Sequence, residues 1–288
     1  MKKILHLLIT VIALAAVPSI ILSCAKESSG GDNNNNETGT GGSMARFTVW
    51  GDYIYTVDQR SLKITWIKDP ANPVEINQHY LSDFSGGDIE TIFPYENKLF
   101  IGSRSAMYIY DLSTNPRSPK LISRTSHFRS CDPVVAYGNR AYVTLNNASA
   151  NCGGRGDFLL IYDISSVMNP TPETYYKDPV LLPGGTYDGY SSRYYPRGLG
   201  VDGPAGKLFV CTNIGVEVYD INEDDPMDPI TYVSDLTEVD GAGIFDAYDI
   251  IPRKGLLIVI GNDGLFQFDY TKEEIEFLGS IKVEKKQR

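Results

Sequence analysis

The chain has 288 residues, with 26 Lys and Arg against 36 Asp and Glu, for a formal net charge of −10. So acidic a chain, whose only basic run is Lys285-Lys286-Gln287-Arg288 at its end, is a poor partner for nucleic acid, because that binding runs through Lys and Arg on phosphates. The length is ample for a large core and long for one domain unless the body is a repeat or all-β.

At the N-terminus, Met1-Lys2-Lys3 is positively charged and residues 4–22 are almost wholly apolar; Ser23-Cys24 follows, before the chain turns polar. A charged head, an apolar middle and a small residue at the cut describe a secretory signal peptide over residues 1–23. Ile21-Leu22-Ser23-Cys24 resembles a bacterial lipobox. The resemblance implies cleavage before Cys24 and acylation of its thiol and new amine, so that the membrane is held through lipid on Cys24. An uncleaved membrane helix is the alternative, since residues 4–22 nearly reach the roughly 20 that span a bilayer. Pro18 within the run and a cysteine where it stops favour lipidation. Ala25-Lys26-Glu27 resembles, incompletely, the Lys-and-acid signal that sends lipoproteins of some Gram-negative commensals to the cell exterior. The expected location is therefore the outer membrane, with surface display favoured. Processing removes Lys2 and Lys3 and no acid, which makes the mature chain two units more negative. Residues 30–43 hold only Gly, Asn, Asp, Glu, Thr and Ser, so residues 24–44 read as a lipidated cysteine and a flexible spacer.

From residue 45 to 288 the chain repeats. An aromatic residue followed by aspartate ends an apolar run at Tyr110-Asp111, Tyr162-Asp163, Tyr219-Asp220 and Phe268-Asp269, and Trp66 takes the aspartate position in a first, degenerate copy. Apolar residues stand four before each anchor (Leu62, Met107, Leu159, Val216, Leu265) and, in four of the five copies, two before it (Ile64, Ile109, Ile161, Val218). This period of two at a spacing of about 50 residues predicts strands in propeller blades. Both faces are largely apolar, as stacked sheets require. Pro-bearing stretches follow four of the anchors and predict the turns to the outermost strands, with the anchor aspartates capping turns.

Residues 47–74, 88–120, 132–172, 198–230 and 249–277 resemble the LVIVD repeat. Tyr53-Ile54-Tyr55-Thr56-Val57-Asp58 and Met107-Tyr108-Ile109-Tyr110-Asp111-Leu112-Ser113 carry the resemblance best. It implies an all-β, five-bladed β-propeller of four-stranded antiparallel blades over residues 45–288, and no chemistry. Innermost strands are expected near 46–50, 89–94, 132–137, 198–202 and 247–251, with the ring closed by packing between the first and fifth blades unless an N-terminal strand joins the last sheet.

Propellers bind where the innermost strands begin. Gapless alignment puts Asp88, Ser130, Arg197 and Asp246 at one converging position, which suggests a ligand site or, equally, groups that satisfy one another. Two enlarged loops, 146–157 and 175–197, should open on that face. The second carries six tyrosines, of which Tyr187, Tyr190, Tyr194 and Tyr195, with Asp132 near the axis, are taken as binding candidates. Cys131 and Cys152 fall on the same face and are expected to form a disulfide, as export permits, whereas Cys211 in Leu208-Phe209-Val210-Cys211 reads as a buried small hydrophobe. Acidic Glu223-Asp224-Asp225 and Asp228 read as a solvated turn on the opposite face. No zinc spacing, nucleophile elbow or phosphate loop is present, so neither metal nor cofactor is expected. The expected function is non-enzymatic: an anchored propeller whose Tyr-rich face recognises a glycan or protein. The alternatives are a glycoside hydrolase working through Asp88, Asp132 and Asp246, or a structural subunit of an envelope complex.

Overall fold

The computed structural model describes residues 41–81, 89–126, 133–146, 158–165, 195–225, 228–239 and 245–283, all within a unit spanning Asn36–Arg288. They form five antiparallel sheets that follow one another along the chain, with no α-helix among the described residues. The first sheet is β1 (Phe47–Trp50), β2 (Tyr53–Val57), β3 (Ser61–Trp66) and β4 (Val74–Tyr80). The second is β5 (Ile89–Tyr95), β6 (Lys98–Ser103), β7 (Ala106–Asp111) and β8 (Lys120–Ser126). The third has three described strands, β9 (Val134–Tyr137), β10 (Arg140–Leu145) and β11 (Phe158–Asp163). The fourth is β12 (Pro196–Asp202), β13 (Lys207–Thr212), β14 (Gly215–Ile221) and β15 (Ile230–Leu236). The fifth is β16 (Ala247–Arg253), β17 (Leu256–Gly261), β18 (Gly264–Asp269) and β19 (Glu276–Lys282).

The anchors hold one register throughout. Trp66, Asp111, Asp163, Asp220 and Asp269 lie opposite the first residue of the second strand in their sheets, Tyr53, Lys98, Arg140, Lys207 and Leu256. Three of the four aspartates cap turns as expected. Asp111 accepts from the Ser113 and Thr114 N–H groups and hydroxyls, Asp163 from the Ser165 N–H at 2.8 Å, and Asp269 from the Thr271 N–H at 2.8 Å and its hydroxyl at 2.6 Å. The fourth, Asp220, instead takes Lys207 Nζ from the strand beside it.

These caps make an acid-labile contribution. Asp58 caps the β2–β3 turn likewise, accepting from the Arg60 and Ser61 N–H groups and the Ser61 hydroxyl. Partial burial works to raise the Asp58 and Asp111 carboxyls, but hydrogen bonds from the residues that follow outweigh it and hold both below the usual carboxylate range. The Thr271 hydroxyl and N–H lower Asp269 in the same way. A depressed carboxyl contributes stability above its unfolded value, about 4, and that stability is lost as pH falls through the folded value. Urea midpoints measured on either side of pH 4 should therefore drop on acidification, and the triple change Asp58→Asn, Asp111→Asn, Asp269→Asn should flatten the drop. An unaltered pH slope in the triple variant would contradict it.

The cores lie between sheets, which is why the alternation of the middle strands is poor. Buried clusters join the first sheet to the second (Tyr55, Leu62, Ile64 with Ile92, Leu99, Tyr110), the second to the third (Phe100, Ile109 with Val134, Val143) and the third to the fourth (Tyr142, Ile161 with Leu199, Leu208). Another joins the fourth to the fifth (Phe209, Val218 with Ile250, Phe266, Phe268). Strands β6, β10 and β13 are accordingly buried on both faces, whereas β18 alternates. Among the described residues no buried cluster joins the fifth sheet to the first, and Ile260, Leu278, Ile281 and Phe47 on those two sheets are exposed.

Polar ties add to the clusters at the end where the innermost strands finish. Tyr55 Oη donates to the Pro116 carbonyl at 2.8 Å, Trp50 Nε1 to the Glu96 carbonyl at 3.3 Å, and Gly138 N–H to Tyr95 Oη at 2.8 Å. Arg140 donates through Nη1 to the carbonyls of Asn222 and Pro229 and through Nη2 to those of Glu223 and Asp225. The acidic side chains of that turn are exposed as expected, while its backbone wraps a buried guanidinium. Tyr270 Oη donates to Asp202 across the fourth and fifth sheets.

Candidate functional site

The innermost strands share a local irregularity that rearranges the expected site. In β5, β12 and β16 the pairing slips near the strand start, between Ile89 and Thr91, Pro196 and Leu199, and Ala247 and Asp249. Counting back from the matched pairs Ile92–Ile101, Leu199–Val210 and Ile250–Val259 makes Glu90, Arg197 and Tyr248 the corresponding bulged residues. A bulge re-aims the side chain it carries, and these three face the end where the innermost strands begin. Arg197 therefore stands two positions away from the place that gapless alignment gave it. Its register partner in the fifth sheet is Tyr248, and Asp246 corresponds to Tyr195.

The displaced pair still meets, across the fourth and fifth sheets. Arg197 Nη1 donates to Asp246 Oδ1 and, at 3.3 Å, to the Ala247 carbonyl. Its guanidinium lies over the Tyr248 ring, 4.7 Å from the centroid. In the second sheet Glu90 is likewise held by an arginine, with Arg104 Nε 3.2 Å from its Oε1. The reading in which the converging polar groups satisfy one another therefore describes Arg197 and Asp246.

Around this pair the surface is aromatic and amide-rich. Tyr195 is 47% exposed and Tyr248 36%. Tyr248 Oη donates to Asn262 Oδ1 at 3.2 Å, and Asn213 Oδ1 accepts from the Tyr195 N–H at 3.0 Å. The two asparagines occupy the same place in equivalent hairpins, Asn213-Ile214-Gly215 and Asn262-Asp263-Gly264. Each hairpin needs its glycine: φ is +134° at Gly215 and +141° at Gly264, and a Cβ would lie 2.1 Å from the Leu236 carbonyl oxygen or 2.0 Å from that of Ile281. From the third sheet, Thr144 Oγ1 donates to the Arg197 carbonyl and Asn146 Nδ2 to the Pro196 carbonyl at 2.7 Å, which fixes the backbone that carries Tyr195 and Arg197.

Behind the surface, the innermost strands bury the chain's own Gly42 and Ser43, while Met44 and Arg46 stay exposed. Ser43 is 1% exposed; its Oγ donates to Asp249 Oδ1 at 3.2 Å and accepts from the Leu199 N–H at 2.7 Å. The Ala45 carbonyl accepts from the Ile92 N–H at 2.9 Å and the Arg46 carbonyl from the Val57 N–H at 2.8 Å. Burial raises the Asp249 carboxyl above its ordinary range against hydrogen bonds from the Ile250, Met44 and Ser43 N–H groups and the Ser43 hydroxyl. Residues 42–44, expected to belong to the spacer, are thus built into the domain, and its boundary lies before residue 42 instead of at 45. A run of small polar residues hides this, since nothing in Gly-Gly-Ser distinguishes a packed segment from a free one.

Of the residues singled out from sequence, Cys24, Asp88, Ser130, Cys131, Asp132, Cys152, Tyr187, Tyr190 and Tyr194 lie outside the described residues. Arg197, Asp246 and Tyr195 lie at one end of the fourth and fifth sheets. Glu90, Tyr248 and Asp249 were missed because a bulge leaves no mark in a gapless alignment, and Asn213 and Asn262 because they read as ordinary hairpin residues. Cys211 is a free thiol, fully buried as expected, and burial pushes its pKa well up. Among the described residues no group of three or more His, Cys, Asp or Glu is placed to hold a metal ion.

No family model and no curated protein matches the chain. Among solved structures it is similar to a chain in the complex of KlAtg21 with the coiled-coil of AgAtg16, at 13% identity and a TM-score of 0.54, over 81% of this chain and 68% of that one. It is also similar to apo AztD from Citrobacter koseri, at 11% identity and a TM-score of 0.50, over 79% of this chain and 58% of that one. At such identities the likeness speaks to the fold alone, a propeller-like succession of antiparallel sheets.

Proposed function

We propose that this protein is an exported, lipid-anchored, five-bladed β-propeller of LVIVD-like repeats that binds a glycan or protein partner on the face where its innermost strands begin. The observation that carries the binding reading is the juxtaposition, at the starts of β12 and β16, of two exposed tyrosines with an Arg–Asp pair and two asparagine amides. Flat rings supply contact area at low entropy cost, and fixed polar groups beside them supply direction. Chain order supports five blades, since each sheet pairs its strands in sequence and the anchors share one register. The two described carboxylates nearest the strand starts, Glu90 and Asp246, are each held by an arginine. That arrangement suits a binding surface better than a free acid–base pair.

Glycan and protein arrays probed with the full chain in detergent would test this reading. A captured ligand should lose about 1–3 kcal/mol of affinity in the double variant Tyr195→Ala, Tyr248→Ala, if both rings stack. Unchanged capture would remove the stacking reading, and oligosaccharide turnover abolished by Asp246→Asn would replace it with hydrolysis. For the anchor, Cys24→Ala should release the protein from the membrane fraction or leave its leader uncut. Unchanged detergent partition and unchanged mass would contradict lipidation.

A further inference from the structure

Residues 42–46 reach four of the five sheets in a span where, among the described residues, no buried cluster joins the first sheet to the fifth. Ser43 bonds to β12 and to Asp249 of β16, the Ala45 carbonyl to β5 and the Arg46 carbonyl to β2. The fit is close. A Cβ on Gly42 would fall 2.0 Å from Asp249 Oδ2, and one on Gly198 would fall 2.5 Å from Asp249 Oδ1 and 2.6 Å from the Tyr248 carbonyl oxygen. Glycine at both positions is what lets the segment, β12 and β16 converge on one carboxylate. The convergence also abuts the candidate surface, since Gly198 follows Arg197 and Asp249 follows Tyr248 in the chain.

We propose that residues 42–46 are an axial latch that holds the first sheet to the fourth and fifth and sets the bulges presenting Arg197 and Tyr248. The latch couples the N-terminal tether to the recognition face. Withdrawal of the segment toward the N-terminus would leave the Leu199 and Ile92 N–H groups without their acceptors and strip Asp249 of its Ser43 and Met44 donors, leaving it the Ile250 N–H. It would also free the two bulges to rearrange, with no apolar cluster among the described residues to keep the first and fifth sheets together. The coupling to a recognition face rests on the binding reading above, whereas the latch itself does not.

Hydrogen exchange of the full chain tests the latch without any ligand. Gly42→Ala alters no strand residue and drives a methyl group into Asp249. It should cut protection of the Leu199 and Ile92 amides about tenfold or more and loosen residues 196–199 and 247–249, while Ile101 and Val143 in the second and third sheets keep theirs. Ser43→Ala removes one hydroxyl and decides the matter should Gly42→Ala fail to fold. A latch that acts as a unit exposes Ile92, whose acceptor is Ala45, along with Leu199, whose acceptor is Ser43. Loss confined to Leu199, equal loss in every sheet, or no loss at all would each overturn the latch. If the latch opens but a captured ligand binds Ser43→Ala as it binds the wild type, the coupling fails and the latch stands.

Discussion

Replacing Arg140 by Met should lower the stability of the domain by about 2–4 kcal/mol, the cost of leaving several carbonyls without a charged donor. The guanidinium spans the third and fourth sheets and gives its two terminal NH2 groups to four carbonyls of the β14–β15 turn, two from each. Met keeps most of the stem's apolar contact, so the loss reports the hydrogen bonds more than the packing. Water reaches part of that turn, which keeps the cost below the sum of four fully buried groups. Arg140→Lys should be intermediate, since a compact ammonium has only three donors and lacks the planar fork. Urea unfolding gives the answer as a fall in midpoint at constant slope. A stability within about 0.5 kcal/mol of wild type would mean that water replaces Arg140 at no cost.

Arg140 also marks the limit of what the chain's pattern discloses. The Tyr-Asp anchors, the strand register and the Pro-bearing turns are local signals that repeat; the structure places the anchors in one register and the first two Pro-bearing turns between their third and fourth strands, while Met168-Asn169-Pro170 and Pro226 lie outside the described residues. Arg140 follows a two-residue turn and, in sequence, looks like any exposed cation. Its acceptors lie 82 to 89 residues away in a turn whose acidic side chains point to water. Side chains that join neighbouring sheets are set by how one repeat packs on the next, and no single repeat records that. The same holds at the opposite end. Tyr195 stood out because tyrosines crowd its loop, whereas Tyr248 is an isolated ring in the fifth sheet made prominent by a bulge. Ser43 was hidden by composition, because a buried hydroxyl with two partners and a solvated linker serine read alike.

Removing residues 244–288, and with them the fifth sheet, should abolish cooperative folding. The fourth sheet would then present Phe209, Cys211, Val216 and Val218, all at most 1% exposed in the intact domain, with Val239 beside them. At about 1.5–3 kcal/mol for each large apolar side chain returned to water, the loss is on the order of 10 kcal/mol, comparable with the whole stability of a typical domain. The far face of the fifth sheet does not show that such exposure is tolerated, because it carries Gln267 and the half-buried Ile258 where the fourth sheet carries Val218 and Phe209. Deletion also removes Asp249, on which Ser43 and the segment before β1 close, and Tyr270, which ties to Asp202. The truncated chain should aggregate or bind a hydrophobic dye with a broad thermal transition, as expected when each sheet buries its faces only against its neighbours. A soluble four-sheet fragment with a sharp transition and low dye binding would show that the sheets fold as separable units, and would remove the mutual dependence on which both the proposed five-bladed ring and the proposed latch rest.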